Sequence, residues 1–212
     1  MTKLILIRHG QSLGNLFENF LGHTDLDLSE LGYKQAEITA EYLKNEQIDA
    51  VYSSDLIRAY NTVLPIAKQR GLDVIKDDGL REIYAGVWEG KSYSELLNTY
   101  PVEYGIWLND IGNARCNGGE SVTELQKRIV NRIIKIAKEN PSKTVCIGTH
   151  ATPLRVLNAY INNIGPSKIK EIPWATNASV TIVDYDNEKM IMLDYSNDSF
   201  MEKNATALPK RV

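Results

Sequence analysis

A few side chains hold the chemistry in this sequence of 212 residues. Arg8-His9-Gly10 closes the aliphatic run Leu4-Ile5-Leu6-Ile7, and His150 follows Val145-Cys146-Ile147-Gly148-Thr149. Arg58 comes at the end of Tyr52-Ser53-Ser54-Asp55-Leu56-Ile57-Arg58. A four-residue apolar run is too short for a typical helix and suits a parallel strand covered on both faces. Open α/β sheets bind ligands at the carboxyl ends of such strands. His9 and His150 both fall there, so they can meet on one edge although 141 positions separate them. Arg58 falls in the first turn of the helix after the second strand, where a cation gains little from the helix dipole. An anion between them accounts for its position. The helix end, Arg8, Arg58 and one histidine would converge on a dianion such as a phosphoryl group, whose oxygens match the guanidinium forks. The plain alternative is a solvated strand end and a solvated helix residue that happen to be charged.

The elements that must position these groups alternate along the chain. A strand over 3–8 is followed by a helix from Ser29, a good N-cap, to about 45, with Leu31, Ala36, Ile38, Ala40 and Leu43 approximating its apolar face. A strand over 49–53 leads to a helix capped by Asp55 and ending near Gly71, which Pro65 should kink or divide. A short helix over 92–99 stops before Pro101, and 101–120 reads as irregular and rich in aromatics. Ser121 and Glu124 form a capping box for a strongly periodic helix with Val122, Leu125, Ile129, Ile133, Ile136 and Ala137 on one stripe. A strand over 143–148, a helix over 152–162 and two strands over 178–184 and 189–195 complete the pattern. The fold class this implies is α/β, a mostly parallel central sheet with helices on both faces. One domain over 1–212 is the simplest organisation, with an irregular or helical lid over about 91–120 and a loosely held tail over about 197–212.

Composition narrows the classes. With 24 basic and 27 acidic residues the net charge is −3, so no global basic field attracts nucleic acid. No apolar run approaches the roughly 20 residues of a membrane span, and no signal peptide is visible, which leads us to expect a cytoplasmic protein. Two cysteines, Cys116 and Cys146, are too few for a disulfide framework or a cysteine-based zinc site.

Leu80-Arg81-Glu82-Ile83-Tyr84-Ala85-Gly86-Val87-Trp88-Glu89-Gly90 adds carboxylates in a glycine-broken stretch. With it the chain resembles the histidine phosphatase superfamily, the phosphoglycerate mutase-like fold, over about residues 3–185. RHGQSLGN at 8–15, YSSDLIRA at 52–59, LREIYAGVWEG at 80–90, GGES at 118–121 and GTHATPLR at 148–155 match its motifs in order. The resemblance implies His9 as nucleophile, forming a phosphohistidine, with Arg8, Arg58 and His150 on the phosphoryl oxygens. It implies Glu82 as general acid and base, with Glu89 as the competing carboxylate, and Asn15 as a donor to the phosphoryl group. Neither metal nor cofactor is then required. His23, in the loop after the nucleophile, is either a substrate contact, our preferred reading, or a satisfied loop histidine. Two departures affect pocket shape: Ala151 stands where many relatives have Gly, narrowing the space beside the substrate but keeping its N–H, and Gly118 stands where many have Pro. Tyr93, Tyr104, Trp107, Arg115 and Cys116 are candidate lining groups of the lid.

Trp88-Glu89-Gly90 after the acid resembles the phosphatase branch, acting on a small phosphorylated substrate. The alternatives are a cofactor-dependent phosphoglycerate mutase, which usually has Leu-Gln-Gly there, and a noncatalytic module that retains the fold. Retention of His9, Arg8, Arg58, Glu82 and His150 together argues against the last.

Overall fold

The computed structural model describes residues 1–208. Its strands are β1 (Thr2–Arg8), β2 (Ala50–Ser53), β3 (Val74–Lys76), β4 (Thr144–Thr149), β5 (Val180–Asp186) and β6 (Lys189–Asn197), and they form one sheet in the order β3-β2-β4-β1-β5-β6. The first four are mutually parallel; β5 and β6 are a hairpin added antiparallel to β1. The helices are α1 (Leu13–Leu16), α2 (Glu30–Tyr42), α3 (Ile57–Arg70), α4 (Tyr93–Thr99), α5 (Pro101–Asn109), α6 (Val122–Glu139) and α7 (Ala151–Ile161). Among the described residues no helix is long and apolar enough to cross a membrane.

The aliphatic run of β1 is continuous because both faces of the strand are covered. Leu4 and Leu6 pack with Ile129 and Ile133 of α6 and Leu154 of α7, while Ile5 and Ile7 pack with Ala40 of α2 and with Val63 and Ile66 of α3. Helix α6 buries its expected stripe, and its capping box is reciprocal: Ser121 Oγ accepts from Glu124 N at 3.2 Å and Glu124 Oε2 accepts from Ser121 N at 2.9 Å.

Several expectations are corrected. The buried face of α2 is Gly32, Gln35, Ala36, Thr39 and Ala40, with Leu31 and Ile38 only half-buried, because Gln35 and Thr39 find hydrogen-bond partners inside. Asp55 does not cap α3; its carboxylate is held by Arg81 (Nε 2.7 Å, Nη2 2.5 Å), and Asp25 accepts from Ile57 N at 2.7 Å instead. Pro65 does not divide α3, which runs from Ile57 to Arg70 with Pro65 and Asn61, the residue whose carbonyl loses its helical donor, both half-buried. Residues 101–109, expected to be irregular, form α5, with Pro101 in its first turn where no N–H is needed. Strand β3 was not anticipated, because it has three residues and two are exposed. Nor is the segment after 197 loosely held as far as it is described: Met201 is fully buried, Phe200 stacks on Tyr42 at 4.0 Å, and Gln35 Nε2 donates to Asn204 O at 2.7 Å and to Thr206 Oγ1 at 2.9 Å. Residues 209–212 of that expected tail lie outside the described residues.

The loop leaving β1 is pressed onto the start of α2. Ser29 N donates to Gln11 O at 2.8 Å, Gln11 N donates to Gln35 Oε1 at 2.7 Å, and a Cβ built on Gly32 would stand 2.0 Å from Gln11 O. A methyl there must push the chain two residues from His9. Gly32→Ala is expected to lower stability by about 1–3 kcal/mol, read from urea unfolding midpoints. An unchanged midpoint would mean that the loop yields without cost.

Candidate active site

The carboxyl ends of the parallel strands and the first turns of α3 and α7 surround a cavity of about 460 Å³, its mouth included. Arg8 and His9 reach it from the end of β1, Arg58 from α3, Glu82 from the segment after β3, Asn15 from α1, and Ala151 with Thr152 from α7. His150 is directly behind, fully buried, with its ring centroid 5.2 Å from that of His9 and the planes at 61°. Parallel pairing of β1 with β4 brings the two together: Arg8 stands opposite Thr149, and His9 N donates to Thr149 O at 2.9 Å.

The tautomer of His9 follows from its partner. Nδ1 is 2.7 Å from Gly10 O, and a carbonyl only accepts, so Nδ1 carries the proton and Nε2 the lone pair. Burial, then Arg58 and Arg8, hold the pKa of His9 well below the usual imidazole value. His150 is shifted the same way by burial, Arg58 and His9; its Nε2 is 2.8 Å from Ser54 Oγ, and its Nδ1 has no partner among the described residues.

Both arginines are 1% exposed. Arg58 donates from Nη1 to Thr24 O (2.8 Å) and from Nη2 to Gly22 O (2.7 Å), and Arg8 from Nη1 to Ala175 O (2.5 Å). The Nε of each has no partner among the described residues. Burial lowers each guanidinium to about 10, with the charge of Glu82 opposing, so both remain cations at neutral pH. Two desolvated cations with unfilled donors constitute an anion site. Asn15 Oδ1 accepts from Ser12 N and from Asn177 Nδ2, both at 3.2 Å, which leaves the amide NH2 of Asn15 as a donor at the cavity wall.

Glu82 Oε1 accepts from Ile83 N at 2.8 Å and Oε2 from Thr152 N at 3.3 Å, so the carboxylate is held at the cavity with lone pairs to spare. Among the described residues no group of three or more His, Cys, Asp or Glu side chains is placed to hold a metal ion.

The family model described as histidine phosphatase superfamily (branch 1) matches residues 4–198. The chain belongs to this family. It is 33% identical over 196 residues to phosphoserine phosphatase 1 of Hydrogenobacter thermophilus, covering 91% of each chain. It is 33% identical over 204 residues to a metal-independent phosphoserine phosphatase of Arabidopsis thaliana, covering 95% of this chain and 84% of the relative. Among solved structures, Bacillus stearothermophilus YhfR superposes with a TM-score of 0.91 at 26% identity, covering 95% of this chain and all of that one.

In this member of the histidine phosphatase superfamily His150, expected on the phosphoryl oxygens, stands behind the cavity wall with its Nε2 bonded to Ser54, and His23 and Glu89 are placed away from the cavity. His23 does not line it: its Nε2 donates to Glu82 O at 2.9 Å and its ring lies against Tyr84, so it stands behind Glu82 rather than before the substrate. Glu89, the competing carboxylate, is fully engaged elsewhere. Its Oε1 accepts from His23 N (2.8 Å) and Ala85 N (3.0 Å), and its Oε2 from Thr24 N (2.6 Å) and Thr24 Oγ1 (2.7 Å), tying the loop of the twenties to the eighties.

Of the lid candidates, Tyr93 and Trp107 line the cavity; Tyr104 and Cys116 are core residues, and Arg115 is paired with Glu124 on the surface. Ala151 lines the cavity, and Gly118 has φ of +70°, a conformation that proline cannot adopt. Sequence reasoning missed Phe20, Trp174, Asn177 and Leu208, which sit in or against the site and carry no local motif, and Thr152, which lies within the GTHATPLR motif but was not singled out.

Two histidines kept neutral in the fold but free to protonate when unfolded make stability depend on pH. The unfolded chain binds more protons below the ordinary imidazole pKa of about 6.5, so the stability is present above that pH and lost on acidification, with a slope approaching about 1.4 kcal/mol per pH unit for each histidine. Urea unfolding between pH 7.5 and pH 5 should show this loss, and His9→Asn should remove about half of the part due to the pair. An identical pH slope in the variant would contradict the burial of a neutral His9.

Proposed function

We propose that the chain is a metal-independent phosphatase of small phosphomonoesters working through a phosphohistidine on His9. The observation that carries this reading is a neutral imidazole, its Nε2 lone pair fixed by the Nδ1–Gly10 bond, set between two buried guanidiniums with unfilled donors. A phosphoryl dianion satisfies all three. Arg8 and Arg58 bind its oxygens, joined by the Asn15 amide and the Ala151 N–H at the start of α7, with the His150 ring against His9.

His9 Nε2 attacks phosphorus in line with the leaving oxygen; the N–P bond forms as the P–O bond breaks. The positive charge that develops on the ring is stabilised through Nδ1–H by the Gly10 carbonyl. Glu82, as the carboxylic acid, gives its proton to the leaving alkoxide, and its carboxylate then takes a proton from the water that attacks the phosphohistidine. The water oxygen bonds to phosphorus, the P–N bond breaks, and inorganic phosphate leaves with Glu82 protonated again. The preorganised cations supply the charge stabilisation that many phosphoryl-transfer enzymes take from magnesium. Phosphoserine is the first ester to test, since the two relatives from Hydrogenobacter thermophilus and Arabidopsis thaliana described above are named for it.

Phosphate release from phosphoserine, 3-phosphoglycerate and an aryl phosphate, with His9→Ala as control, tests the reading. Turnover of at least one ester, unaffected by EDTA and lost in His9→Ala, is expected; a His9→Ala variant with substantial activity would overturn the mechanism, and interconversion of phosphoglycerates without phosphate release would assign the chain to the mutases.

Glu82→Gln should separate leaving groups. An alkyl ester needs the proton and should slow by about 10²- to 10⁴-fold, whereas an aryl phosphate should still give a burst of phenol and accumulate phosphohistidine before slow hydrolysis. Equal losses without a burst would move the proton-transfer role to another group.

A further inference from the structure

Behind Glu82, on the side away from the cavity, lies a cluster that the mechanism above does not use. Arg128, on α6, donates from Nη1 to Gly79 O (3.1 Å) and Arg81 O (3.0 Å), and from Nη2 to Glu82 O (3.0 Å). Its remaining N–H groups meet the Glu120 carboxylate, Nε to Oε1 at 2.8 Å and Nη2 to Oε2 at 2.7 Å, so all five guanidinium donors are filled. Glu120 Oε2 also accepts from Tyr84 N at 2.9 Å, and His23 Nε2 makes the second bond to Glu82 O. Burial alone would raise the Glu120 carboxyl, but the Arg128 guanidinium and the Tyr84 N–H hold it below the usual carboxylate range.

The carbonyls of Arg81 and Glu82 belong to the two peptide planes that flank the Glu82 Cα. One planar guanidinium grips both, which sets the direction in which the Glu82 side chain leaves the backbone. An ion pair that served stability alone would not need to reach either peptide. Among the described residues the carboxylate itself has two protein donors, Ile83 N and the longer bond from Thr152 N, so its aim depends on the backbone beneath it.

We infer that Arg128, held by Glu120 of the GGES segment and assisted by His23, is the positioning residue that aims the Glu82 carboxyl at the leaving oxygen. This rests on the reading of Glu82 as the proton donor. A displacement of about 1 Å at a reacting group costs on the order of 10²-fold, and a positioning defect falls only on steps in which Glu82 moves a proton. Lysine is a poor substitute, because it lacks the planar fork.

The test is Arg128→Gln measured against Glu82→Gln. Arg128→Gln should lower kcat for an alkyl phosphate by about 10²-fold while retaining the burst of phenol from an aryl phosphate and the inhibition constant of inorganic phosphate. Added to Glu82→Gln, it should cost the alkyl reaction nothing further, because its effect passes through Glu82. Equal loss for alkyl and aryl esters, weakened phosphate inhibition, or losses that multiply in the double variant would overturn the inference. Should Arg128→Gln unfold, His23→Phe removes the other donor to the same carbonyl and should show a smaller loss with the same leaving-group dependence; loss without that dependence overturns the inference. If Glu82→Gln itself shows no leaving-group dependence, the assignment of Glu82 fails first. If Glu82→Gln shows it and Arg128→Gln does not, only the positioning role fails.

Discussion

Two guanidinium groups, Arg8 and Arg58, are buried at 1% exposure beside an imidazole, and among the described residues neither has a carboxylate bonded to it. Taking a cation out of water costs several kcal/mol unless something of opposite sign compensates. Main-chain carbonyls of Gly22, Thr24 and Ala175 compensate in part, and Glu82 acts across the cavity. What remains is a concentrated positive field with unfilled donors in a low dielectric. Burial first, and then this field, hold the pKa values of His9 and His150 well below the usual imidazole value, and the same field suits the phosphoryl dianion of the proposed reaction. In the proposed mechanism, recognition of the anion and the neutral state of His9 thus draw on the same buried cations.

That arrangement can exist only where the chain supplies many backbone groups at short range, which the carboxyl edge of a parallel sheet does. Register between β1 and β4 places His9 against Thr149 and His150, and β2 delivers Ser54 to His150. Close packing holds the loops: Gly10 and Gly32 let the β1 exit touch α2, and the positive φ of Gly22 lets its carbonyl turn to Arg58 while Glu89 holds the neighbouring amides. The C-terminal segment takes part as well. Thr206 accepts from Asn177 N at 2.9 Å and donates to Asn177 Oδ1 at 3.1 Å, and Asn177 Nδ2 reaches both His9 O and Asn15 Oδ1.

Polar pairs inside this frame divide by what they touch. Glu82 keeps two oxygens near the cavity with few donors, whereas Glu89 accepts four hydrogen bonds and Glu120 meets Arg128 bidentately. In a single segment, carboxylates seven residues apart therefore differ completely in availability. The proposed proton carrier needs lone pairs that the protein has not already filled, and among the described carboxylates Glu82 is the one that has them at the cavity.

The sequence by itself determined the strands that end in Arg8-His9 and Thr149-His150, the capping box of α6, the alternating α/β order and the family, because these rest on periodicity and on motifs within a few residues. It pointed to Glu82 over Glu89 only through the resemblance. Tertiary structure decided what depends on partners distant in the chain: that Glu89 is saturated by amides from 23, 24 and 85, that His23 faces the Glu82 carbonyl, and that Asp55 turns to Arg81 instead of capping α3. It also decided that 101–109 is helical and that the chain after 197 is fastened to Gln35 and Asn177. The reason is that a side chain's type announces which bonds it can make, while the choice among them belongs to whichever donor or acceptor the fold brings within about 3 Å.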